Sequence, residues 1–140
     1  MSPRWLAFLF TVCLFLLTTG CTTLLTVKTV DLRNTSKFPD YDISAVIDDA
    51  CLQRLVKSDQ WTRDEFIAQW ENSTDEELVM LWLWHNGEVR EIYRLPPQTL
   101  ANTSLLDGMG IAVISELHGK CLFSRVVTGE SMADVTQRFD

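Results

Sequence analysis

The spacing of apolar side chains changes period repeatedly along this chain. Over roughly 25 to 33, β-branched residues partly alternate with polar ones, which predicts a strand. Asn34-Thr35-Ser36 and Phe38-Pro39-Asp40 break it. Next, Ile43, Val46, Ile47, Ala50, Cys51 and Leu55 fall at helical spacing, the stripe of a helix packed on one side. Asp42 can cap that helix, leaving Asp48, Asp49 and Arg54 outward. A second helix is expected from Arg63 to Glu71. Thr62 and Glu65 have the spacing of a capping box, Trp61 and Phe66 bracket it as a hydrophobic staple, and Phe66, Ile67 and Trp70 face inward.

Leu78 to Trp84 is apolar at every position, as in a strand covered on both faces or at a sheet centre. Asn86-Gly87 predicts a type I′ hairpin. The return strand, Glu88 to Leu95, places Val89, Tyr93 and Leu95 on one face and Arg90, Ile92 and Arg94 on the other, with Glu91 breaking the alternation. Pro96-Pro97 stops it. A polar connection, 98 to 110, leads to a second hairpin, Ile111–Leu117 and Cys121–Val127, across Gly119-Lys120. Ser131 opens a short last helix with Met132, Val135 and Phe139 on one side. The expected class is α+β: an antiparallel sheet of four to five strands, two helices before the central hairpin, and a short C-terminal helix.

A length of 140 residues suits one ordinary domain. The net charge of −7 argues against nucleic acid, whose binding needs clustered Lys and Arg. Residues 1 to 20 differ in kind from the rest. Arg4 is the only charged side chain before Lys28, and Trp5 to Leu17 is a nearly unbroken apolar run ending in Thr18, Thr19 and Gly20. This is the build of a secretory signal peptide.

Leu17-Thr18-Thr19-Gly20-Cys21 resembles the lipobox of bacterial lipoproteins, in which small or aliphatic residues and then Gly or Ala precede a cysteine. The resemblance covers residues 1–21. It implies that the Cys21 thiol receives a diacylglycerol, that cleavage falls before it, and that the new amino group is acylated. Two or more acyl chains hold a protein to a bilayer, at about 0.8 kcal/mol per buried CH₂. Thr22, where an Asp would favour inner-membrane retention in that family, points to the outer membrane. Residues 21–140 then form one periplasmic domain with a short N-terminal tether. An uncleaved signal anchor competes, because Trp5 to Val27 lacks charge and a span needs roughly 20 residues. A secreted protein is the third reading, supported by the sequons at Asn34, Asn72 and Asn102. All three place residues 28–140 outside the cytoplasm.

With Cys13 in the signal and Cys21 as the lipid site, Cys51 and Cys121 remain. In an oxidising compartment this pair is expected to be bonded. Candidate chemistry is sparse. His85 and His118 sit beside turns, no metal-ligand spacing occurs, and no nucleophile elbow or phosphate loop is present, so no metal, cofactor or catalytic group is assigned. Trp82 and Trp84 share a strand face, with Val89 and Tyr93 expected beside them and Arg90 and Arg94 on the opposite strand face, at a rim. They read as core or as a binding groove; Trp, Tyr and Arg dominate binding hot spots. The expected function is a non-enzymatic, lipid-anchored accessory protein that binds an envelope protein in secretion or envelope assembly. The alternative is an inhibitor or immunity lipoprotein that blocks a basic cell-wall hydrolase or toxin.

Overall fold

The apolar run at 78–83 lies where two hydrophobic layers meet. The structure is a computed structural model that describes residues 27–59 and 64–140. Its strands are β1 (Lys28–Asp31), β2 (Glu65–Asn72), β3 (Leu78–Leu83), β4 (Val89–Leu95), β5 (Thr99–Leu106), β6 (Gly110–Ser115), β7 (Lys120–Val126) and β8 (Thr136–Phe139). They form two four-stranded sheets, β1-β5-β2-β8 and β4-β3-β6-β7. The second sheet is antiparallel throughout. In the first, β2 pairs antiparallel with β5, and the short edge strands β1 and β8 join in parallel. A single 3-10 turn (Ile43–Ala45), helix α1 (Asp49–Arg54) and helix α2 (Gly129–Met132) complete a strand-dominated α+β structure.

Between the sheets, Ala68, Trp70, Ala101, Leu105 and Phe139 meet Met80, Trp82, Tyr93, Ile111, Val113 and Phe123. Trp70 is fully buried, edge-on to Phe123 at 5.1 Å and stacked on Phe139 at 6.2 Å. Its indole N–H donates to Thr103 Oγ1 at 2.8 Å, which satisfies the one polar atom the ring brings into the core. The other face of the second sheet carries Val79, Leu81, Leu83, Ala112 and Ile114, covered by Ile43, Ile47, Cys51, Leu52 and Leu55. Both β3 and β6 are therefore buried on both faces, so neither has a polar side to show in its sequence.

Several expectations are corrected. One sheet becomes two, and residues 65–72 form a strand instead of a helix. Glu65, Ile67 and Gln69 face solvent while Ala68, Trp70 and Asn72 are buried, a period of two. A capping interaction is worth about 1 kcal/mol. It is outweighed by full pairing of β2 along β5 and by burial of Trp70. Trp61 and Thr62 lie outside the described residues. The connection 98–110 contains β5, an inner strand whose inward residues Thr99, Ala101, Thr103 and Leu105 are all buried. Two of those four are threonines and one is alanine, so the buried face looks polar in the sequence.

The stretch 43–55 is not one helix. It breaks at 46–48 and restarts at Asp48, whose carboxylate accepts from Cys51 N–H at 2.7 Å; Asp42 instead accepts from the Ser44 hydroxyl. The 86–87 turn has positive φ at Gly87 (91°) and not at Asn86, so it is not type I′. The last helix is capped by Thr128, three residues before Ser131, and gives way to β8. Met132 and Phe139 are buried as expected, and Val135 is exposed.

Gly110 marks the tightest crossing. A Cβ there would lie 2.5 Å from Val56 O, 2.6 Å from Ser58 N and 2.7 Å from Lys57 C. Those are backbone atoms, which cannot swing aside. Gly110→Ala is expected to destabilise the fold by about 3 kcal/mol in urea titration. Gly87→Ala, in open space but at positive φ, should cost about 1–2 kcal/mol.

Candidate functional site

Trp82 and Trp84 do share a face of the second sheet, their ring centroids 4.5 Å apart. Trp82 is 8% exposed and belongs to the core between the sheets; Trp84 is half-buried at its margin. Arg90 lies opposite Trp82 across the β3/β4 ladder, and its guanidinium sits 4.9 Å from the Trp84 ring centroid. Such a cation–π contact contributes about 0.5–1 kcal/mol at an exposed site. Glu88 and Asp40 hold Arg90 loosely, at 3.4 and 3.7 Å.

Phe38 completes the stack, edge-on to Trp82 at 6.0 Å and 40% exposed. Its φ of 54° is left-handed, at a cost of about 1 kcal/mol for a bulky residue. The strain is held in place by the next residues, which are stitched to the β4 edge: Glu91 N–H donates to Pro39 O and Tyr41 N–H to Val89 O, both at 2.9 Å. Sequence reasoning treated Phe38 only as part of a break. Its signal was an aromatic residue placed directly before Pro39 in an otherwise polar loop.

A bulge in β4 rearranges the other expected residues. Met80 pairs with Tyr93 but Leu81 pairs with Glu91, so Ile92 is extra. Val89, expected beside the tryptophans, therefore packs under the 41–55 cover. Arg90 and Arg94, expected together on the face away from the tryptophans, are divided: Arg90 lies on the tryptophan face and Arg94 on the other. Tyr93 turns inward, and its hydroxyl donates to Ser104 O at 3.0 Å. Arg94 gathers Glu77 at 3.1 Å, Glu116 at 2.8 Å and also Glu91. Burial opposes its charge, but the hydrogen bonds to Glu77 and Glu116 and the Glu91 charge hold its pKa above the ordinary value. Tyr41 donates to Glu116 Oε2 at 3.1 Å, and burial followed by that bond raises its phenol.

The loop 32–39 crosses from β1 to the β4 edge and has a cavity of about 290 Å³ on either side. Ile92 and Tyr93 belong to both. One is walled by Phe38, Trp82, Leu105 and Met109 with Arg33 at hand; the other by Leu32, Lys37, Pro39 and Arg94. Arg33 donates to both Asp31 carboxylate oxygens, at 2.9 and 2.7 Å. That bond, reinforced by the Arg33 backbone N–H, holds the Asp31 carboxyl down at about 2. At the opposite end of the second sheet from Trp84, a groove of about 580 Å³ runs between residues 73–76, Leu117, His118, Lys120 and Asp140.

No three His, Cys, Asp or Glu side chains among the described residues converge as metal ligands. His85 and His118 are exposed at opposite ends of the second sheet, with His118 3.5 Å from Glu76. Glu77, Glu91 and Glu116 share Arg94, and Glu88 lies apart beside Arg90. Cys51 and Cys121, 70 residues apart, are joined with a Cα–Cα distance of 5.3 Å. Cys21 lies outside the described residues. The Asn72 side chain is buried: its amide donates to Glu76 O, Leu95 O and Pro96 O and accepts from Thr74, leaving no free amide for a glycan. No helix of the described residues is long and apolar enough to cross a membrane.

No known family model matches this chain, and no curated protein is significantly similar to it.

The Asp31–Arg33 pair carries a pH prediction. A carboxyl lowered in the folded state stabilises the fold above its unfolded value of about 3.9, and this contribution is lost as pH falls toward about 2. NMR titration should find Asp31 changing charge near 2, and Arg33→Ala should return it to the ordinary carboxylate range. An unchanged Asp31 in that variant would contradict the assigned cause.

Proposed function

We propose that this chain is a non-enzymatic, lipid-anchored binding module of a bacterial envelope. Held through Cys21 at the periplasmic side of the outer membrane, it docks an envelope protein of a secretion or assembly apparatus. The observation that carries the reading is the stack of Phe38, Trp82, Trp84 and Arg90. It combines aromatic rings, a cation and partial exposure, the composition of interface hot spots. Its orientation supports the same reading. β1 begins at Lys28, seven residues after Cys21, so the tether reaches at most about 25 Å. Lys28 pairs with Thr99, beside the Asn72 end of β2, whereas Trp84 and Arg90 lie toward the far end of the second sheet. A tether of that reach lets the stack stand clear of the bilayer. The Cys51–Cys121 bond fits an oxidising compartment.

Two measurements test this. Mass spectrometry of the native protein should show an N-terminus at Cys21 carrying a diacylglycerol and an amide-linked acyl chain; an unmodified thiol there rejects the anchor. Affinity recovery from detergent-solubilised envelopes should yield a secretion or assembly component, and Phe38→Ala with Arg90→Ala should weaken its capture at least tenfold, about 1.4 kcal/mol. Equal capture by the variant removes the docking surface.

A second reading, an inhibitor or immunity lipoprotein, is favoured by the net charge of −7 and by the three carboxylates around Arg94. Opposite charge speeds docking into a basic cleft. The domain should then suppress a basic cell-wall hydrolase, and the effect should fade with salt.

A further inference from the structure

The disulfide is placed for exchange as well as for support. Cys51 is 3% exposed and sealed beneath its own helix, whereas Cys121 is half-buried. A cavity of about 290 Å³ is lined by both cysteines together with Asp48, Ala50, Arg54 and Lys120. Arg54 follows Cys51 by one helical turn, and Lys120 is the chain neighbour of Cys121. The Asp48 carboxylate is occupied by the Cys51 backbone N–H. The cavity that the two cysteines line thus carries two cationic residues and one carboxylate.

The covering segment is built to move between fixed ends. At one end Pro39 and Tyr41 are hydrogen-bonded to the β4 edge. At the other, Ser58 N–H donates to Leu83 O at 2.9 Å, and its hydroxyl accepts from Gly110 N–H at 2.7 Å. Between these clamps the cover makes two polar links to the second sheet and its 115–120 turn: Asp48 N–H to Gly119 O at 3.1 Å and Val56 N–H to Ser124 Oγ at 3.0 Å. Apolar packing and the disulfide do the rest.

We propose that Cys51–Cys121 is an exchangeable latch, opened in the folded protein by a dithiol oxidoreductase that attacks Cys121, and that opening lets residues 42–55 lift from the second sheet. The reductant thiolate forms a bond to Cys121 Sγ, the Cys51–Cys121 bond breaks, and its electron pair leaves on Cys51 beside Arg54. The second thiolate of the oxidoreductase then attacks its own sulfur in the mixed disulfide and expels the Cys121 thiolate beside Lys120. Both thiolates take up the protons the oxidoreductase gave up. Two electrons pass to this chain, and the oxidoreductase ends as a disulfide. This proposal does not depend on the lipid anchor or on the aromatic stack.

The test uses the full-length protein in detergent with dithiothreitol, and then purified thioredoxin, as reductant. Alkylation and peptide mass mapping follow Cys51 and Cys121. Reduction should be first-order in reductant, unchanged by urea below the unfolding transition, and slowed roughly threefold by each of Arg54→Ala and Lys120→Ala at low salt. Trypsin should cut the wild-type protein at Arg54 after reduction and not before, while the strands stay resistant. Reduction that accelerates with urea in step with global unfolding, or that ignores both charges, would overturn the proposal. So would a reduced protein as resistant at Arg54 as the oxidised one.

Discussion

A sheet with two apolar faces must be covered twice, and the rest of this structure follows from that requirement. The second sheet presents Met80 and Trp82 to one side and Val79, Leu81 and Leu83 to the other, with β6 matching it residue for residue. Fully burying one such side chain is worth about 1.5–3 kcal/mol, so leaving either face open would forfeit an amount comparable to a typical domain's net stability. The first sheet closes one side. The other is closed by the chain between β1 and β2, too short and irregular to hold itself in place. Its attachments explain otherwise odd residues. Ser58 is a buried hydroxyl because it takes the Gly110 and Trp82 N–H groups. Gly110 lacks a side chain because the 56–58 backbone passes directly over it. The disulfide pins the middle.

The parts of the fold legible in the sequence are those with one dominant signal. Both hairpins, the all-apolar β3 and the paired cysteines could be read from local chemistry, because burial, turn residues and cysteine count act without competitors. β2 and β5 could not. Glu65 beside Thr62 has the spacing of a helix start, and nothing in Phe66-Ile67-Ala68-Gln69-Trp70 announces that its partner lies on β5, more than thirty residues away. β5 in turn hides its buried face, since Thr103 is inside to accept from Trp70 and Ala101 is small to make room. Each strand is intelligible only through the other.

The candidate site was legible to a similar depth. The face shared by Trp82 and Trp84 follows from strand period alone; the nearness of Arg90 does not, since regular pairing would put it on the opposite face. The division of Arg90 from Arg94 does not, because one inserted residue in β4 inverts every later side chain and leaves no trace in composition. That bulge separates two surfaces of different character. One is aromatic with a single cation over it; the other gathers three carboxylates on Arg94. Most buried polar groups, notably Asn72, Ser58 and Thr103, have their hydrogen bonds committed to holding loops and strands together.

Native-state hydrogen exchange tests the two-sided burial most directly. Amides of 78–83 and 111–115 should be the slowest in the chain, exchanging only through global unfolding, while those of 65–72 and 99–106, with one face of their sheet open to solvent, exchange sooner. If the second sheet exchanged as fast as the first, or faster, the layered arrangement with its clamped cover would be wrong.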